Sequence, residues 1–336
     1  MRIAGSDQRR AGWLELSDFE HRRRGRELRP ERHLPHHQRY ERAEEFTDVV
    51  LGLWGSYEDD AFSRDQENGV YYDPDKQHVL NHRGPHFNVK GPLNVARSPQ
   101  GHPVVVQAGS SEPGKDLAAR TAEVVFTAQQ TTADAVAFYN DLKGRLAKYG
   151  RRPDDLKVMP GVFPVVGSSR SEAQEKFAEL QELIHPSVGI AQLSYMIGDF
   201  DLSAYPADGP VPELPETNGG KSRQALLFDL ARREDLTINQ LARRIAGARG
   251  HWQLVGTASD IVDQLEERFL AGGADGYNIM PPTLPGGLTD FIAHVVPELR
   301  RRGLFRAEYE GATLRQNLGL SKPGHLGTAR HLVQSA

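Results

Sequence analysis

The sequence predicts an α/β protein built on a parallel sheet, and three observations predict it. Strand-like runs alternate with helical stretches from Pro103 to Arg302. The first run, Val104–Val106, is continuously apolar, as expected for a strand covered by helices on both sheet faces. The helix after the second run has Thr131 or Thr132 as its cap and Gly150 as its stop, which fixes its ends from local chemistry alone.

Each element follows in order. Tyr40, Ala43, Phe46, Val49, Val50 and Leu53 recur at helical spacing, so His36 to about Trp54 reads as an amphipathic helix. A polar excursion from Glu58 to Val95 contains two short pieces, Val70–Asp73 and Phe87–Val89, that could pair as a hairpin. Then come the strand Pro103–Gln107, a helix through Leu117 and Ala122, the strand Glu123–Ala128 and the helix Thr131–Tyr149. The strand Leu156–Val166 and the helix Ser171–Ile184 follow, and later the helix Thr257–Ala271, the strand Gly276–Met280 and the helix Leu288–Arg302. Between them, Pro186–Gly250 reads as a lid. Its first half, with Pro206, Pro210, Pro212 and Pro215, is expected to be loop, and its second half to hold helices Lys221–Leu230 and Ile238–Ala246. A closed (β/α)8 barrel takes about 250 residues and eight strand–helix units. Four strands are readable here.

Composition removes several function classes. The chain has 336 residues, a net charge of −4 and no cysteine. Disulfides, thiolate metal sites and a cysteine nucleophile are excluded, and the absence of cysteine fits a reducing, cytoplasmic setting. The charge balance points neither to nucleic acid nor to an acidic membrane surface. No apolar run approaches the roughly 20 residues that span a bilayer.

The strongest local site candidate is Gln107-Ala108-Gly109-Ser110-Ser111. It lies at the C-terminal end of a parallel strand, where α/β folds place ligands. Gly109 lets a ligand approach the backbone, and Ser110 and Ser111 offer hydroxyls and amides where a helix dipole favours phosphate. An ordinary serine cap on a strand-to-helix turn would look the same. His36 and Tyr40, four residues apart, share one face at a helix start. They could meet a phosphate or a planar cofactor, or be a solvated His beside a core Tyr. His78, His82 and His86 also recur at intervals of four, but Pro74, Gly84 and Pro85 keep that stretch from being helical, and no metal site is expected from it. Walker A, GxGxxG, HExxH and GxSxG patterns are absent.

From His36 to Leu320 the chain resembles the nitrilotriacetate monooxygenase component A family, within the bacterial-luciferase-like FMN-dependent monooxygenases. The pieces carrying the resemblance are LPHHQRYERAEEF, LWGSYEDDAF, GPLNVARSPQGHPVVVQAGSS, ARTAEVVFTAQQ, LPETNGGKSRQ and GADGYNIMPPTLPGGLTDFIAHVVPELRRRGLFR. The resemblance implies a luciferase-like (β/α)8 TIM barrel with FMN at its C-terminal face. It also implies reduced flavin supplied by a partner NAD(P)H:flavin reductase, and O2 used to oxygenate a small organic substrate. By the same resemblance, His36 and Tyr40 contact the flavin phosphate region, Gly109, Ser110 and Ser111 meet the phosphate, and the lid closes over substrate. A homo-oligomer is the expected assembly. The substrate itself is not readable, although Lys221 and Arg223 in the lid could meet a carboxylate.

Relative to that family the expected barrel is N-terminally truncated, with about its first three to four strand–helix units missing. The family's GWN…TS motif is not present in frame. Arg9, Arg10, Arg22, Arg23, Arg24, Arg26, Arg29 and Arg32 crowd the first part of the chain instead. A one-nucleotide shift of GC-rich codons for Asp7–Arg32 permits TSGERAGWNSLTSSIDAEAANFG, close to the family pattern. Residues 1–32 are therefore expected to be an out-of-frame segment, and 33–336 a partial barrel with insertions at about 58–95 and 186–250. The alternative expectation is a non-catalytic remnant of such an enzyme.

Overall fold

A computed structural model describes residues 2–4, 13–16, 35–215 and 221–327. Most of the segment expected to be out of frame lies outside the described residues. Within it, only two short strands are described, β1 (Arg2–Ala4) and β2 (Trp13–Leu16).

Helix α1 covers His36–Trp54, as its periodicity predicts. Two short strands, β3 (His82–Arg83) and β4 (Asn88–Val89), form a small antiparallel ribbon. The expected pairing of Val70–Asp73 with Phe87–Val89 does not occur. Val70 instead bridges Asp65, because the turn between them closes on the Asp65 carboxylate, which accepts from the backbone of Glu67 and Asn68.

The main sheet then begins. Strand β5 (Val104–Gln107) leads to α2 (Glu112–Thr121), β6 (Val124–Thr127) to α3 (Thr132–Arg145), and β7 (Lys157–Val166) to α4 (Arg170–Glu182). Each helix starts where a hydroxyl caps it. Ser111 accepts from the amide of Gly114, Thr131 from Asp134 and Ser169 from Glu172. Past a 3-10 turn, Gly150 stops the second of these helices at φ 65°, a left-handed conformation that favours glycine.

The Pro186–Gly250 segment corrects one expectation. Its start is helical, not loop: α5 spans Pro186–Met196, followed by α6 (Lys221–Arg233) and α7 (Ile238–Ala246). Pro186 opens the helix at its first position, where a missing amide costs nothing. The three helices bury a core of their own, including Leu193, Ile197, Leu227, Leu230, Leu241 and Ile245.

A strand missed in the sequence, β8 (Trp252–Gly256), comes next, then α8 (Ala258–Leu270) and β9 (Asn278–Ile279). The last long helix starts at Gly286, two residues earlier than predicted. It contains a π-helical turn, Phe291–Val295, before continuing over Val296–Arg301.

The strands are joined in the order β1-β2-β5-β6-β7-β8, with β9 also on β7. Within this sheet all pairings except β1 with β2 are parallel. Among the described residues no pairing joins β8 or β9 back to β1 or β2, so this sheet is an open arc. Val125 and Val158, register neighbours on β6 and β7, pack under Ala118, Phe138 and Leu142 of the helices. On the opposite face, Val104, Val124 and Met159 are covered near the strands' N-terminal ends by Leu314, Leu318 and Leu320 of the C-terminal segment. The C-terminal ends of the strands are left for a site. No described helix is long and apolar enough to cross a membrane.

Candidate flavin site at the strand ends

Helix α1 runs alongside α2 so that its first turn arrives at the end of β5. The Ser111 hydroxyl donates to the Tyr40 hydroxyl at 3.1 Å and accepts from the amide of Gly114 at 3.3 Å. The His36 ring leans on the Tyr40 ring, with centroids 4.9 Å apart at 49°. Ser110 lies on the other side, its hydroxyl 3.4 Å from that of Thr127 at the end of β6. Gln129 donates its side-chain amide to the same Thr127 oxygen at 3.1 Å. All five predicted residues, His36, Tyr40, Gly109, Ser110 and Ser111, thus meet at one place.

Two helix N-termini converge there. Helix α1 begins behind Pro35 with no side-chain cap and no acidic residue in its first turn. Its first amides therefore present partial positive charge to whatever lies above them. The one acid at the start of α2, Glu112, is pulled away and held below the usual carboxylate range by hydrogen bonds from Lys115 and Arg145. An anion placed here would meet two dipoles and three hydroxyls.

Glycine also shapes the cradle at a position the sequence did not single out. A Cβ on Gly109 would make ordinary contacts, 3.5 Å from the Tyr40 hydroxyl. A Cβ on Gly114 would sit 2.8 Å from that hydroxyl and 3.0 Å from the Ser111 oxygen. Gly114 is therefore the residue that admits Tyr40. Gln107 reaches across from the strand to donate to the Gly114 carbonyl at 2.8 Å. Its Oε1 is buried without a protein partner among the described residues.

His251 is a further site residue that sequence spacing could not find. It is 4 % exposed and stacks on Phe126 at 4.8 Å and 21°. Opposite it is Gly161, where a Cβ would fall 2.4 Å from Nδ1. Phe126 and Gly161 alternate with Val125 and Val158, so the imidazole sits on the sheet face turned away from α2 and α3. Nδ1 has no partner among the described residues. Burial, reinforced by the nearby Arg223 and Arg249 charges and opposed by hydrogen bonding to the Thr127 backbone, holds its pKa down at about 3. The ring is neutral at neutral pH and ends next to the Thr127 that touches Ser110.

The loop carrying these groups is fixed from below by Arg268, fully buried in α8. Its guanidinium donates to the carbonyls of Gln129 at 3.1 Å and Gln130 at 3.3 Å, and lies 3.4 Å over the Trp252 ring. Burial lowers its pKa to about 10, so the charge stays. Of the lid cations expected near a carboxylate, Arg223 donates to the Arg249 carbonyl at 2.9 Å, and the Lys221 side chain lies outside the described residues. A cavity of about 560 Å³ lies within the lid, between α5 and the Asp199–Ala207 stretch, and shares no residue with the strand-end site.

Residues 17–276 match the family model described as luciferase-like monooxygenase. The chain belongs to the luciferase-like monooxygenase family. It is 56 % identical over 292 residues to nitrilotriacetate monooxygenase component A of Aminobacter aminovorans, covering 87 % of this chain and 64 % of that protein. It is 51 % identical over 295 residues to N-acetyl-S-(2-succino)cysteine monooxygenase of Bacillus subtilis (strain 168), covering 87 % and 67 %. A crystal structure of a riboflavin lyase with modified FMN and riboflavin superposes with a TM-score of 0.79 at 31 % identity, over 90 % of this chain and 68 % of that one. The chain therefore spans about two thirds of the length of these luciferase-like relatives.

Proposed function

We propose that this chain serves flavin-dependent oxygenation by holding the phosphate end of FMN between the first turns of α1 and α2. The observation that carries the reading is the Tyr40–Ser111–Gly114 cradle, where two helix N-termini converge and the side-chain-free Gly114 lets Tyr40 reach Ser111. The Tyr40 and Ser110 hydroxyls and the α1 amides are donors suited to phosphate oxygens, with Ser111 orienting Tyr40 and His36 flanking them. The orphaned Gln107 Oε1 is an acceptor suited to a ribityl hydroxyl. The riboflavin lyase, whose structure carries a modified FMN, supports the flavin.

Reduced FMN, when bound, supplies the oxygen-activating chemistry. The protein's part is positional. Arg268 fixes the Gln129–Gln130 carbonyls, and Thr127 ties Ser110 to β6. The neutral His251 ring fills the interior beside them without adding a charge. The helical lid would exclude water over the strand ends. A separate NAD(P)H:flavin reductase would supply the reduced cofactor, and a small organic molecule and O2 would be consumed. The name of the Aminobacter relative, a "component A", supports this division of labour between polypeptides.

The test is direct. Purified protein is titrated with FMN, and retention on gel filtration is followed by flavin absorbance. A flavin reductase with NADH is then added and O2 uptake is recorded. Stoichiometric retention that is lost in Tyr40→Phe/Ser111→Ala supports the cradle. No retention at micromolar FMN refutes it.

A further inference from the structure

We propose that Glu58, His78 and His325 form a binding site for a zinc-type divalent cation, which clips the C-terminal segment to the far end of α1. The three residues come from separate parts of the chain, yet their ligand atoms all lie within 4.8 Å of one another. Glu58 Oε1 is 2.9 Å from His78 Nε2, and the His78 and His325 rings lie parallel, 5.5 Å apart at 9°.

Three features distinguish this cluster from a chance meeting of polar side chains. His325 Nδ1 is buried and has no hydrogen-bond partner among the described residues, although an unmatched buried imidazole nitrogen is costly. Gly327 lies over both rings. A Cβ there would be 2.6 Å from His78 Nε2 and 3.0 Å from His325 Cε1, so the backbone fits only because the side chain is absent. The rest of the clip already has protein partners. Lys322 pairs with Asp59 at 2.7 Å, Arg97 donates to the Gly324 carbonyl at 2.7 Å, and the Leu326 amide donates to the Gly55 carbonyl at 3.0 Å. Within the imidazole pair, His78 meets Glu58, and His325 Nδ1 is left with no partner among the described residues.

The donor set selects the metal class. Two imidazoles and one carboxylate suit zinc and its first-row neighbours, with a fourth position left to water. In a tetrahedral site with bonds of about 2 Å, ligand atoms sit roughly 3.3 Å apart. Movements of about an ångström by side chains would close the present arrangement to that spacing. Helical spacing is not what builds the cluster. His82, four residues on from His78, pairs with Glu45 instead, and that carboxylate is occupied by the His86 and Phe87 amides. Helix α1 is 19 residues long, so its two ends are roughly 28 Å apart at 1.5 Å per residue. The cation site lies at the Trp54 end and the flavin cradle at the His36 end, which makes the proposed role structural.

Zinc titrated into the metal-free full chain by calorimetry should show one equivalent bound with micromolar or tighter affinity. His325→Ala, His325→Asn and Glu58→Gln should each weaken it at least tenfold, whereas His86→Ala should leave it unchanged. Limited proteolysis gives a second readout: zinc should slow cleavage of the C-terminal segment in the parent and not in His325→Asn. Absence of saturable binding, or binding unaltered in both His325 variants, overturns the proposal.

Discussion

Acid should destabilise this fold through His251, by an amount that follows from its surroundings. The imidazole is buried against Phe126 and Gly161, and its pKa is held at about 3. In the unfolded chain it returns to about 6.5. The native state therefore binds fewer protons than the unfolded state between those values, and stability falls as pH falls through that window. The contribution is fully present above about pH 6.5. Linkage gives a loss of about 2 kcal/mol between pH 7 and pH 5 from this one group, rising to about 4 kcal/mol by pH 3. Urea unfolding at pH 7 and pH 5 measures it, with His251→Asn as the reference that cannot titrate. The variant is expected to be less stable at pH 7, since it loses the stack on Phe126, but its stability should fall by about 2 kcal/mol less over the two pH units. An imidazole NMR titration should show His251 unprotonated at pH 5. If parent and variant lose stability in parallel, or the His251 resonances titrate near 6.5, the account of a buried neutral imidazole is wrong.

Two further substitutions probe the cradle and its support. Gly114→Ala places a methyl 2.8 Å from the Tyr40 hydroxyl, so it should cost about 1–3 kcal/mol in thermal unfolding and reduce FMN retention more than Gly109→Ala does. Arg268→Ala removes two donors to the Gln129 and Gln130 carbonyls and the guanidinium over Trp252. About 3 kcal/mol should be lost in denaturant unfolding, with Arg268→Lys recovering only part, because a single ammonium cannot replace the planar fork.

What was legible in the sequence was local. The His36–Trp54 helix matches its periodicity from end to end, and β5, β6 and β7 fall within the predicted runs because valines and hydroxyl caps mark their limits. The residues converging on the cradle were nameable, since the resemblance supplied their roles and the strand-to-helix turn supplied their place. Misses have physical causes. Pro206, Pro210, Pro212 and Pro215 point to loop for the first half of the lid, but they say nothing of Pro186, which at a first helical turn is a start signal. Strand β8 (Trp252, Gln253, Leu254, Val255, Gly256) lacks the β-branched run that marks β5 and β6, so its pattern does not declare itself. Gly114, Thr127 and His251 matter only through contacts with Tyr40, Ser110 and Phe126, and no spacing rule reports such contacts.

The two halves of the strand-end site also differ in how the chain holds them. Tyr40, Gly109, Ser111 and Gly114 are joined through α1, β5 and α2, and hydrogen bonds within that stretch close the cradle without help from the lid. His251 reaches the same region from the far side of the helical insertion. Gln130 grips the Gly250 carbonyl beside it at 2.5 Å, and Arg268 grips the Gln130 carbonyl in turn. Loss of the second set should loosen the interior around His251 and leave the anion cradle standing. The proposed phosphate cradle and the order of the interior should therefore respond to separate substitutions, Tyr40 and Gly114 acting on the first and Arg268 and Gln130 on the second.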